Sequence, residues 1–438
     1  MKILYVSQYF PPEMGAPAAR VSELAEIWAR DGHQVTVLTG FPNHPTGVVP
    51  AEYRAKLRRL LIREELAGVE VVRTWLWPRP NRKSYERILN YSSFFFSSAI
   101  TGLFLRKPDV VIGTSPQLLT ALSAWWLARV KRVPFVFEVR DLWPESLGAV
   151  GMAAEESALY RVLGKLAAFL YKRADRIVVV SGAFKSILCE RWNVPPEKIS
   201  VVPNGVKTEK FSPAAGNEKV REQLGLQGKF VATYIGTLGV AHGLETLVEA
   251  AAQLQNSAPH VEFLLIGDGA DKERIAAMVE ARGITNVRFL GQRPREVIPQ
   301  YICASDVCLV LLRKTELFKT VIPSKMLEFM ACEKPLVLAV DGEARRIMDE
   351  ARCGLFVEPE NSSALAEAIL TLASDTAVRQ QLGANGRRAI LQKYSRKATA
   401  QSYREILSSV VNASAVLLDC DDADGRGRLH RRLERASG

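Results

Sequence analysis

Short runs of apolar, β-branched residues alternate with helical stretches along most of the chain, and this rhythm constrains the fold more than any other feature. The runs are apolar at successive positions, a pattern typical of parallel strands that helices cover on both faces. The first series is ILYVS (3–7), QVTVLTG (34–40), VEVVRTW (69–75), DVVIGTS (109–115), PFVFEV (134–139) and RIVVVS (176–181), and the second is FVATYIG (230–236), VEFLLIG (261–267), VRFLG (287–291), DVCLVLL (306–312) and PLVLAV (335–340). The sequence therefore predicts an α/β protein with two doubly wound, Rossmann-like domains that face each other across a cleft.

The length of the chain agrees with two domains. A single core rarely grows beyond about 300 residues, and this chain has 438. The stretch 203–215 contains Pro203, Gly205 and Pro213 and predicts a linker, so we place the first domain at 1–205 and the second at 206–385. Residues 412–438 carry an acidic cluster followed by a basic cluster with little to bury, which favours a disordered tail.

The net charge of +11 is unevenly distributed. Residues 1–212 contain 29 basic and 19 acidic side chains, whereas residues 213–438 contain 29 and 28. An anionic partner is therefore expected at the N-terminal half, and no motif of a nucleic-acid-binding domain accompanies the excess.

Cysteine usage and the N-terminus indicate the compartment. The six cysteines stand singly and form no C-x-x-C pair, as is typical of reduced thiols. The first apolar run, 3–6, is too short for the core of a signal peptide. We expect the protein to work in the cytoplasm.

Two loops follow strands at corresponding positions of the two predicted domains. SQYFPPEMGAPAAR (7–20) leads from the first strand into a helix, and YIGTLGVAHGLETL (234–247) does the same in the second domain. Glycine allows the backbone to approach a ligand closely, and a helix N-terminus favours anions. A plain strand-to-helix turn remains the alternative for the first loop, and the second is neither a G-x-G-x-x-G motif nor a P-loop.

A third segment, PSKMLEFMACEKPLV (323–337), predicts a helix that is apolar on nearly every side yet carries Lys325 and Glu328 three residues apart. Half-buried charges need partners. Ser324 and Lys325 at the helix start suit a diphosphate, and Glu328 suits the hydroxyls of a sugar. The alternative is an internal ion pair between Lys325 and Glu328.

These segments together resemble the glycosyltransferases of family 4, which have the GT-B fold. The resemblance runs in order over residues 1–410 and rests on GHQVTVLT (32–39), VVPNGV (201–206), FLLIGDG (263–269), VRFLGQRP (287–294), ASDVCLVLL (304–312) and CGLFVEPEN (353–361) besides the three segments above. LTGFPNHPTG (38–47) with EVRDLWPES (138–146) resembles the branch that adds N-acetylated deoxy-sugars such as fucosamine or bacillosamine during O-antigen and capsule assembly.

The resemblance implies roles for individual residues. Gly15 would approach the donor phosphate and the acceptor, Gly236 would lie at the diphosphate loop, and the backbone around Arg293 would face the base. Glu328 would bind the ribose as the second glutamate of the family's Glu-x7-Glu motif. The N-terminal domain would bind the acceptor, and a helix at about 386–411 would cross back to it.

The sequence departs from the family pattern at three places. Thr320 replaces the first glutamate of the Glu-x7-Glu motif. Thr237 and His242 replace the basic pair of the diphosphate loop, so Lys325 and Arg313 are the candidates for compensating the charge.

The third departure is Arg140, which stands in place of the family's frequent histidine, with Asp141 beside it. We expect Arg140 to keep Asp141 ionised. Asp141 and His44 are the catalytic candidates, although a loop-capping role for His44 is equally compatible with the sequence. Arg20, Asn43, Arg140 and Glu145 are expected on the acceptor side.

The implied reaction is a metal-independent transfer of a sugar from a UDP-sugar to a hydroxyl with retention of configuration. It needs no cofactor, because the nucleotide-sugar is a substrate. The sequence leaves open a sugar-nucleotide epimerase and a nucleotide-binding subunit without catalysis. A nicotinamide dehydrogenase lacks support, because no G-x-G-x-x-G with a downstream acid is present.

A membrane-directed segment completes the prediction. Residues 54–87 carry ten basic and four acidic side chains, and residues 88–105 carry no charge and three consecutive phenylalanines. We expect this helix to lie on the inner face of the cytoplasmic membrane, where a lipid-linked acceptor would be reached. The alternative is a helix that only covers the first sheet.

Overall fold

The computed structural model describes residues 1–13, 16–44, 46–79, 84–144, 157–216 and 218–414. The chain divides into two compact units, Met1–Val202 together with residues from Ala400 onward, and Pro203–Thr399. The sequence predicts the domain boundaries at 205 and 385, whereas the units of the structure meet at 202/203 and 399/400. The predicted helix 386–411 is two helices, because a π-helical turn, Ile390–Tyr394, interrupts it. The tail prediction for 412–438 concerns residues that, from 415 on, lie outside the described ranges.

Unit 1 contains an eight-stranded sheet of order β3-β4-β2-β1-β5-β6-β7-β8, parallel except for the pair β3 and β4. Its strands are β1 (Lys2–Val6), β2 (Gln34–Gly40), β3 (Leu61–Leu66), β4 (Val69–Thr74), β5 (Val110–Thr114), β6 (Phe135–Val139), β7 (Arg176–Val179) and β8 (Ile199–Val201). Its helices are α1 (Ala16–Arg30), α2 (Ala51–Arg54), α3 (Ser84–Leu103), α4 (Leu118–Lys131), α5 (Ala158–Arg173) and α6 (Gly182–Trp192), with 3-10 turns at Ala55–Arg58 and Pro196–Lys198.

Unit 2 contains a six-stranded parallel sheet of order β11-β10-β9-β12-β13-β14. Its strands are β9 (Phe230–Ile235), β10 (Val261–Ile266), β11 (Val287–Gly291), β12 (Val307–Leu311), β13 (Leu336–Ala339) and β14 (Gly354–Phe356). Its helices are α7 (Glu218–Gln223), α8 (Glu245–Ser257), α9 (Lys272–Ala281), α10 (Ile298–Ala304), α11 (Ser324–Ala331), α12 (Glu343–Ala351), α13 (Ser362–Ser374) and α14 (Thr376–Ala389), with 3-10 turns at Pro213–Ala215, Val240–His242 and Leu317–Thr320.

The prediction of two doubly wound parallel sheets is confirmed. The central strands of both units are buried along their length, as β5, β9 and β12 show. Apolar residues on both faces of a strand can be satisfied only by a layer of helices on each side. In such sheets ligands bind where the strands end at their carboxyl edge, so the loops at that edge hold the candidate site.

The final helix, α15 (396–414), belongs to unit 1 from Ala400 onward. Tyr403, Leu407 and Val410 pack into the same buried cluster as Trp28 of α1. The indole of Trp28 donates to the carbonyl oxygen of Ala400 over 2.9 Å, and its ring meets that of Tyr403 edge-on. The last part of the chain therefore completes the core of unit 1.

Helix α3 turns its polar side chains inward. Asn90 and Ser98 are buried, whereas Ile88 is 53%, Phe96 63% and Ile100 59% exposed. No helix in the described ranges is long and apolar enough to cross a membrane. The buried face of α3 therefore combines Asn90 and Ser98 with the apolar side chains of Phe94 and Ala99, while Ile88, Phe96 and Ile100 stay outside.

Candidate active site

A pocket of about 470 Å³ lies at the carboxyl ends of β9, β10 and β11 in unit 2. Its lining includes seven residues singled out in the sequence: Gly236, Thr237, His242, Arg293, Ser324, Lys325 and Glu328. These residues are separated by up to 92 positions, and the sheet and the start of α11 bring them to one place. The parallel sheet explains why, since the loops that follow its strands meet at one edge.

Two glycines form the floor of this pocket by following adjacent strands. Gly236 has a φ of +145° and Gly267 a φ of +143°, values that L side chains rarely adopt. The amide of Gly236 donates to the carbonyl oxygen of Ile266 over 2.9 Å. A Cβ on Gly267 would stand 1.8 Å from the carbonyl oxygen of Gly236, and one on Gly236 would stand 2.8 Å from Lys325 Nζ. Both positions thus require glycine, and the space saved at Gly236 holds the lysine.

Lys325 extends from α11 to the glycine turn. Its Nζ donates to the hydroxyl of Tyr234 over 2.8 Å and lies 4.0 Å from the centre of that ring. Within the described residues, no carboxylate is within ion-pair distance of Lys325. Burial lowers the pKa of Lys325 to about 7, although Glu328 acts in the opposite direction. Among the described residues Lys325 thus has no counter-ion in direct contact, and its ammonium changes protonation near neutral pH.

The positions of the family's basic pair are uncharged in this pocket. Thr237 offers a carbonyl oxygen that accepts from the hydroxyl of Tyr234 over 2.8 Å. Burial and the nearby Lys325 lower the pKa of His242 to about 4, and its Nδ1 lies 3.3 Å from the carbonyl oxygen of Leu311. His242 is neutral at pH 7, so the cation at this turn is Lys325.

Glu328 pairs with an arginine that the sequence analysis did not single out. Arg295 Nη2 lies 2.7 Å from Glu328 Oε1, and the side chain of Glu328 is 14% exposed against 75% for Arg295. Burial raises the pKa of Glu328, although Arg295 opposes this effect. The only signal for Arg295 was its place in GQRPRE (291–296), two residues after Arg293. The alternative of an internal pair between Lys325 and Glu328 does not describe this helix, because Arg295 is the partner.

Arg313 lies outside the lining of the pocket. Its guanidinium bonds Glu245, pairs with Glu360 at 3.1 Å and donates from Nε to the carbonyl oxygen of Val240 over 2.6 Å. Two carboxylates therefore compensate its charge, and the structure does not bring it to the pocket with Lys325. Its predicted part in balancing a diphosphate is not matched by this placement.

The acceptor-side residues of unit 1 do not all reach the surface. Arg20 pairs with Glu138 at 2.9 Å, with side-chain exposures of 1% and 0%, and also donates to the carbonyl oxygen of Val202. The hydroxyl of Tyr5 donates to the other oxygen of Glu138. Burial alone would raise the pKa of Glu138, but Arg20, Arg140 and the bond from Tyr5 outweigh it and lower that pKa. Arg20 is thus a buried structural cation, which corrects its predicted acceptor contact.

Arg140 and Asp141 follow β6 at the carboxyl edge of the sheet. Their backbone amides both donate to the hydroxyl of Ser115, over 2.7 and 3.1 Å, and Arg140 Nη1 donates to the carbonyl oxygen of Pro17. The side chain of Asp141 reaches solvent. Its crowded surroundings raise its pKa, and Arg140 only partly opposes this effect. The expectation that Arg140 keeps Asp141 ionised stays a prediction, in which Arg140 acts against the effect of the surroundings.

Glu13 organises the loop after β2, a role that the sequence analysis missed. Its Oε1 accepts from the backbone amides of Asn43 and His44 over 2.8 and 2.9 Å, and burial raises its pKa. The imidazole of His44 stands 4.5 Å from the ring of Tyr9, and burial lowers its pKa. A neutral imidazole on an anchored loop can accept a proton. The candidates Gly15 and Glu145 lie outside the described residues.

The chain is similar along most of its length to known glycosyltransferases. It is 27% identical over 384 residues to the "Putative colanic acid biosynthesis glycosyl transferase WcaI" of Escherichia coli (strain K12), covering 84% of this chain and 91% of that one. It is also 27% identical over 354 residues to the "Probable glycosyltransferase WbjE" of Pseudomonas aeruginosa, covering 78% and 85%.

Solved structures share the fold. HepE of Anabaena, crystallised with UDP, superposes with a TM-score of 0.67 at 21% identity, over 93% of this chain and all of that one. Sucrose-phosphate synthase of Thermosynechococcus elongatus superposes with a TM-score of 0.68 at 23% identity, over 93% and 99%.

The fold and these likenesses define the class, a GT-B glycosyltransferase, which is an enzyme that transfers sugars. Two families match parts of the chain. Residues 15–205 match the Glycosyl transferase 4-like domain, and residues 216–389 match the Glycosyl transferases group 1 family. The first match lies in unit 1 apart from its last three residues, and the second lies in unit 2.

Proposed function

We propose that the pocket of unit 2 binds UDP and that the enzyme moves an N-acetylated sugar from UDP to a hydroxyl of a lipid-linked acceptor. The observation that carries this proposal is Lys325 beside the glycine turn, which has no carboxylate within ion-pair distance in the part of the chain that the structure describes. A buried ammonium in such a place suits a phosphate. Ser324 at the start of α11 adds backbone and hydroxyl donors. HepE, which shares the fold, was crystallised with UDP.

Departure of UDP places negative charge on the diphosphate, and donors that are already in place stabilise that charge. Lys325 and Ser324, at the start of α11, are these donors. In the proposed reaction the acceptor oxygen attacks from the face that the diphosphate leaves, so configuration is retained. The proton of the acceptor hydroxyl passes to a phosphate oxygen, and neither a metal ion nor a cofactor is required.

The acceptor is proposed to be a sugar on polyprenyl diphosphate, used in making a cell-surface polysaccharide. WcaI, whose name refers to colanic acid biosynthesis, supports the polysaccharide. The loop LTGFPNHPTG (38–47), in which Glu13 holds Asn43 and His44, supports a donor sugar of the fucosamine or bacillosamine type. Asp141 and His44 are the proposed catalytic residues on the acceptor side.

The outer face of α3 supports contact with the inner surface of the cytoplasmic membrane. Ile88, Phe96 and Ile100 on α3 are exposed, and so are Leu103 at its end and Trp126 on α4. Monomeric soluble proteins rarely expose a large contiguous apolar patch. Basic side chains in the region 54–87 would add attraction to anionic lipid, worth about 1 kcal/mol each.

The test incubates the purified chain with UDP-N-acetylglucosamine, UDP-N-acetylgalactosamine, UDP-N-acetylfucosamine or UDP-diacetylbacillosamine. Each donor is offered with and without undecaprenyl-diphosphate-linked N-acetylglucosamine in detergent micelles, in the presence of EDTA. Release of UDP only with acceptor supports the proposal, and the anomeric configuration of the product tests retention.

The other outcomes contradict the proposal. Turnover of a donor without acceptor indicates an isomerase or a hydrolase. Binding of UDP without any turnover contradicts this acceptor and donor class. Loss of activity in EDTA overturns the metal-independent reaction.

A further inference from the structure

Asn90 on α3 makes contacts unlike those of the other polar residues on the inner face of that helix. It is 2% exposed and bonds three segments of the chain. Its Oδ1 accepts from Gln8 Nε2 over 2.6 Å, and its Nδ2 donates to Asn43 Oδ1 over 3.2 Å and to the carbonyl oxygen of Trp77 over 2.9 Å. These segments follow β1, β2 and β4, so one amide links three loops at the carboxyl edge of the sheet.

Ser98, two turns further along α3, provides a contrast. It is fully buried, and its hydroxyl lies 2.7 Å from that of Ser123 on α4. This pair joins two helices and touches none of the loops. Ser98 therefore serves packing between helices, whereas Asn90 reaches the candidate site.

The loop that carries His44 is held from two sides. Glu13 accepts from the backbone amides of Asn43 and His44, while Asn90 bonds the side chain of Asn43. Asn43 is 5% exposed and also donates to the carbonyl oxygen of Phe41 over 2.9 Å. A side chain with this many fixed partners has one orientation, so its neighbour His44 is held in place as well.

Gln8 supplies a second observation. It is 2% exposed, its Nε2 is engaged by Asn90, and its Oε1 is buried with no donor among the described residues. Buried polar atoms are nearly always paired, and exceptions are often at sites that bind something. The Gln8–Asn90–Asn43 network thus contains one buried oxygen, Gln8 Oε1, that no described residue bonds, and it lies beside the loop of Asn43 and His44.

We infer that Asn90 is a positioning residue of the enzyme, which fixes the loop of Asn43 and His44 through the Gln8–Asn90–Asn43 network. This inference rests on the proposed function only in taking that loop to serve the acceptor. Because Asn90 stands on the helix with the exposed apolar face, the loop and that face share one rigid support. Contact of α3 with a surface would therefore be transmitted to the acceptor loop through this amide.

The test compares Asn90→Leu, which removes all three bonds at similar volume, with Ser98→Ala as the matched control on the same helix. Hydrogen exchange of the full chain is followed at residues 41–44. Loss of one hydrogen bond shifts the equilibrium between the closed and the open loop by about a factor of five. The amides of this loop should therefore exchange about fivefold faster or more in Asn90→Leu. Ser98→Ala should leave exchange at 41–44 unchanged.

A spectroscopic readout separates positioning from general loss of structure. The chain has five histidines, and His44→Gln assigns the His44 imidazole signal in an NMR titration. Burial lowers the pKa of His44, so a released loop should raise it toward the ordinary value of about 6.5. Asn90→Asp, which keeps an acceptor for Gln8 but loses both donors when ionised, should shift the titration in the same direction.

Binding of UDP, which we assign to unit 2, should be unchanged in every variant. Tryptophan fluorescence, which comes from residues 1–202, shows whether unit 1 is folded. In the transfer assay, Asn90→Leu should lower kcat while the KM of the UDP-sugar stays the same. Unchanged exchange and an unchanged His44 titration in a folded Asn90→Leu variant would overturn the inference. Absence of transfer in the unmodified chain would instead overturn the proposed function and leave the link between Asn90 and the loop standing.

Discussion

If the pocket of unit 2 binds UDP as proposed, Lys325 should make the affinity depend on pH. Its pKa lies at about 7 in the empty pocket because burial disfavours the ammonium, and a bound diphosphate would raise that pKa. Binding then takes up a proton between pH 7 and the raised value. The affinity for UDP is fully present below pH 7 and should fall by up to about tenfold per pH unit above it.

The control for this prediction is Lys325→Arg, since a guanidinium keeps its proton over the whole range. Isothermal titration calorimetry of UDP between pH 7 and 9 should show a flat profile for this variant. His242, with a pKa of about 4, does not titrate in that range. A flat profile in the unmodified protein would show that Lys325 does not meet the diphosphate.

Glu328 is expected to bind the ribose, and the structure refines what its removal does. Glu328→Ala removes an acceptor from the pocket and releases Arg295. Loss of hydrogen bonds to a charged group costs about 1.5–3 kcal/mol, so UDP binding measured by calorimetry should weaken by that amount. Glu316→Ala is the control, because Glu316 is 88% exposed and its one ion pair within the described ranges is with Lys319. Equal affinities in the two variants would remove Glu328 from the site.

Asp141 is proposed to act on the acceptor side, so Asp141→Asn should separate chemistry from donor binding. The amide keeps the shape and loses the carboxylate, and a group that moves or orients a proton contributes at least about 100-fold to the rate. Turnover should fall by that factor while UDP affinity stays the same. Because burial raises the pKa of Asp141, activity that depends on its carboxylate should rise with pH through that pKa. Wild-type turnover in Asp141→Asn would end its catalytic assignment.

Sequence reasoning found the residues of the pocket but not their partners. Gly236, Ser324 and Lys325 could be predicted because parallel strands place their following loops at one edge. Tyr234 and Arg295 could not, because which polar groups meet depends on side-chain packing between segments. Arg20 was expected at the acceptor because it follows a loop motif. The sequence gave no sign that it pairs with the buried Glu138 instead.

At the scale of the element, α3 shows what a periodic pattern leaves undecided. The sequence separates a polar from an apolar side of this helix, but the pattern is the same whichever side faces the sheet. In the structure Asn90 and Ser98 bond buried groups and Phe94 packs in the core, while Phe96 and Ile100 stay outside. These exposed apolar side chains are the part of α3 that another apolar phase could cover.

The prediction for α3 is that Phe96→Asp with Ile100→Asp abolishes flotation with anionic liposomes at low salt. Both side chains are more than half exposed, so the fold should tolerate the change, whereas a charge in the apolar layer opposes insertion. Val378→Asp, on an exposed apolar residue of α14, is the control and should float normally. Binding should also weaken at high ionic strength. If the unmodified protein does not float, the proposed membrane contact is wrong.

At the scale of the whole molecule, each unit has hydrophobic clusters of its own, and the chain passes from unit 1 to unit 2 and back. The rhythm of apolar runs predicted both sheets because it reports strands and helices directly. The return at Ala400 came from the resemblance, since no local pattern says which core a terminal helix joins. Tyr403, Leu407 and Val410 join the core of Trp28, more than 370 residues away.

The tryptophans allow the two cores to be followed separately. All seven stand in residues 1–202, so tryptophan fluorescence reports on unit 1 alone. The proposed UDP pocket lies wholly in unit 2. A ligand that binds only one folded unit stabilises that unit by mass action. We expect UDP to raise a calorimetric transition of unit 2 while the fluorescence transition stays in place.

Tyr403→Ala should lower the thermal transition of unit 1 and leave that of unit 2 in place. Tyr403 is fully buried against Trp28, and truncating a large buried aromatic side chain costs about 3–5 kcal/mol. The fluorescence midpoint should fall by about 10 °C, since 1 kcal/mol moves the midpoint of a unit this size by roughly 2–4 °C. UDP binding should persist.

Tyr403→Phe is the matched control: the hydroxyl is buried without a partner among the described residues, so its removal should cost nothing or stabilise unit 1. A fall in both transitions, or a shift of the fluorescence transition by UDP, would show that the two cores unfold together.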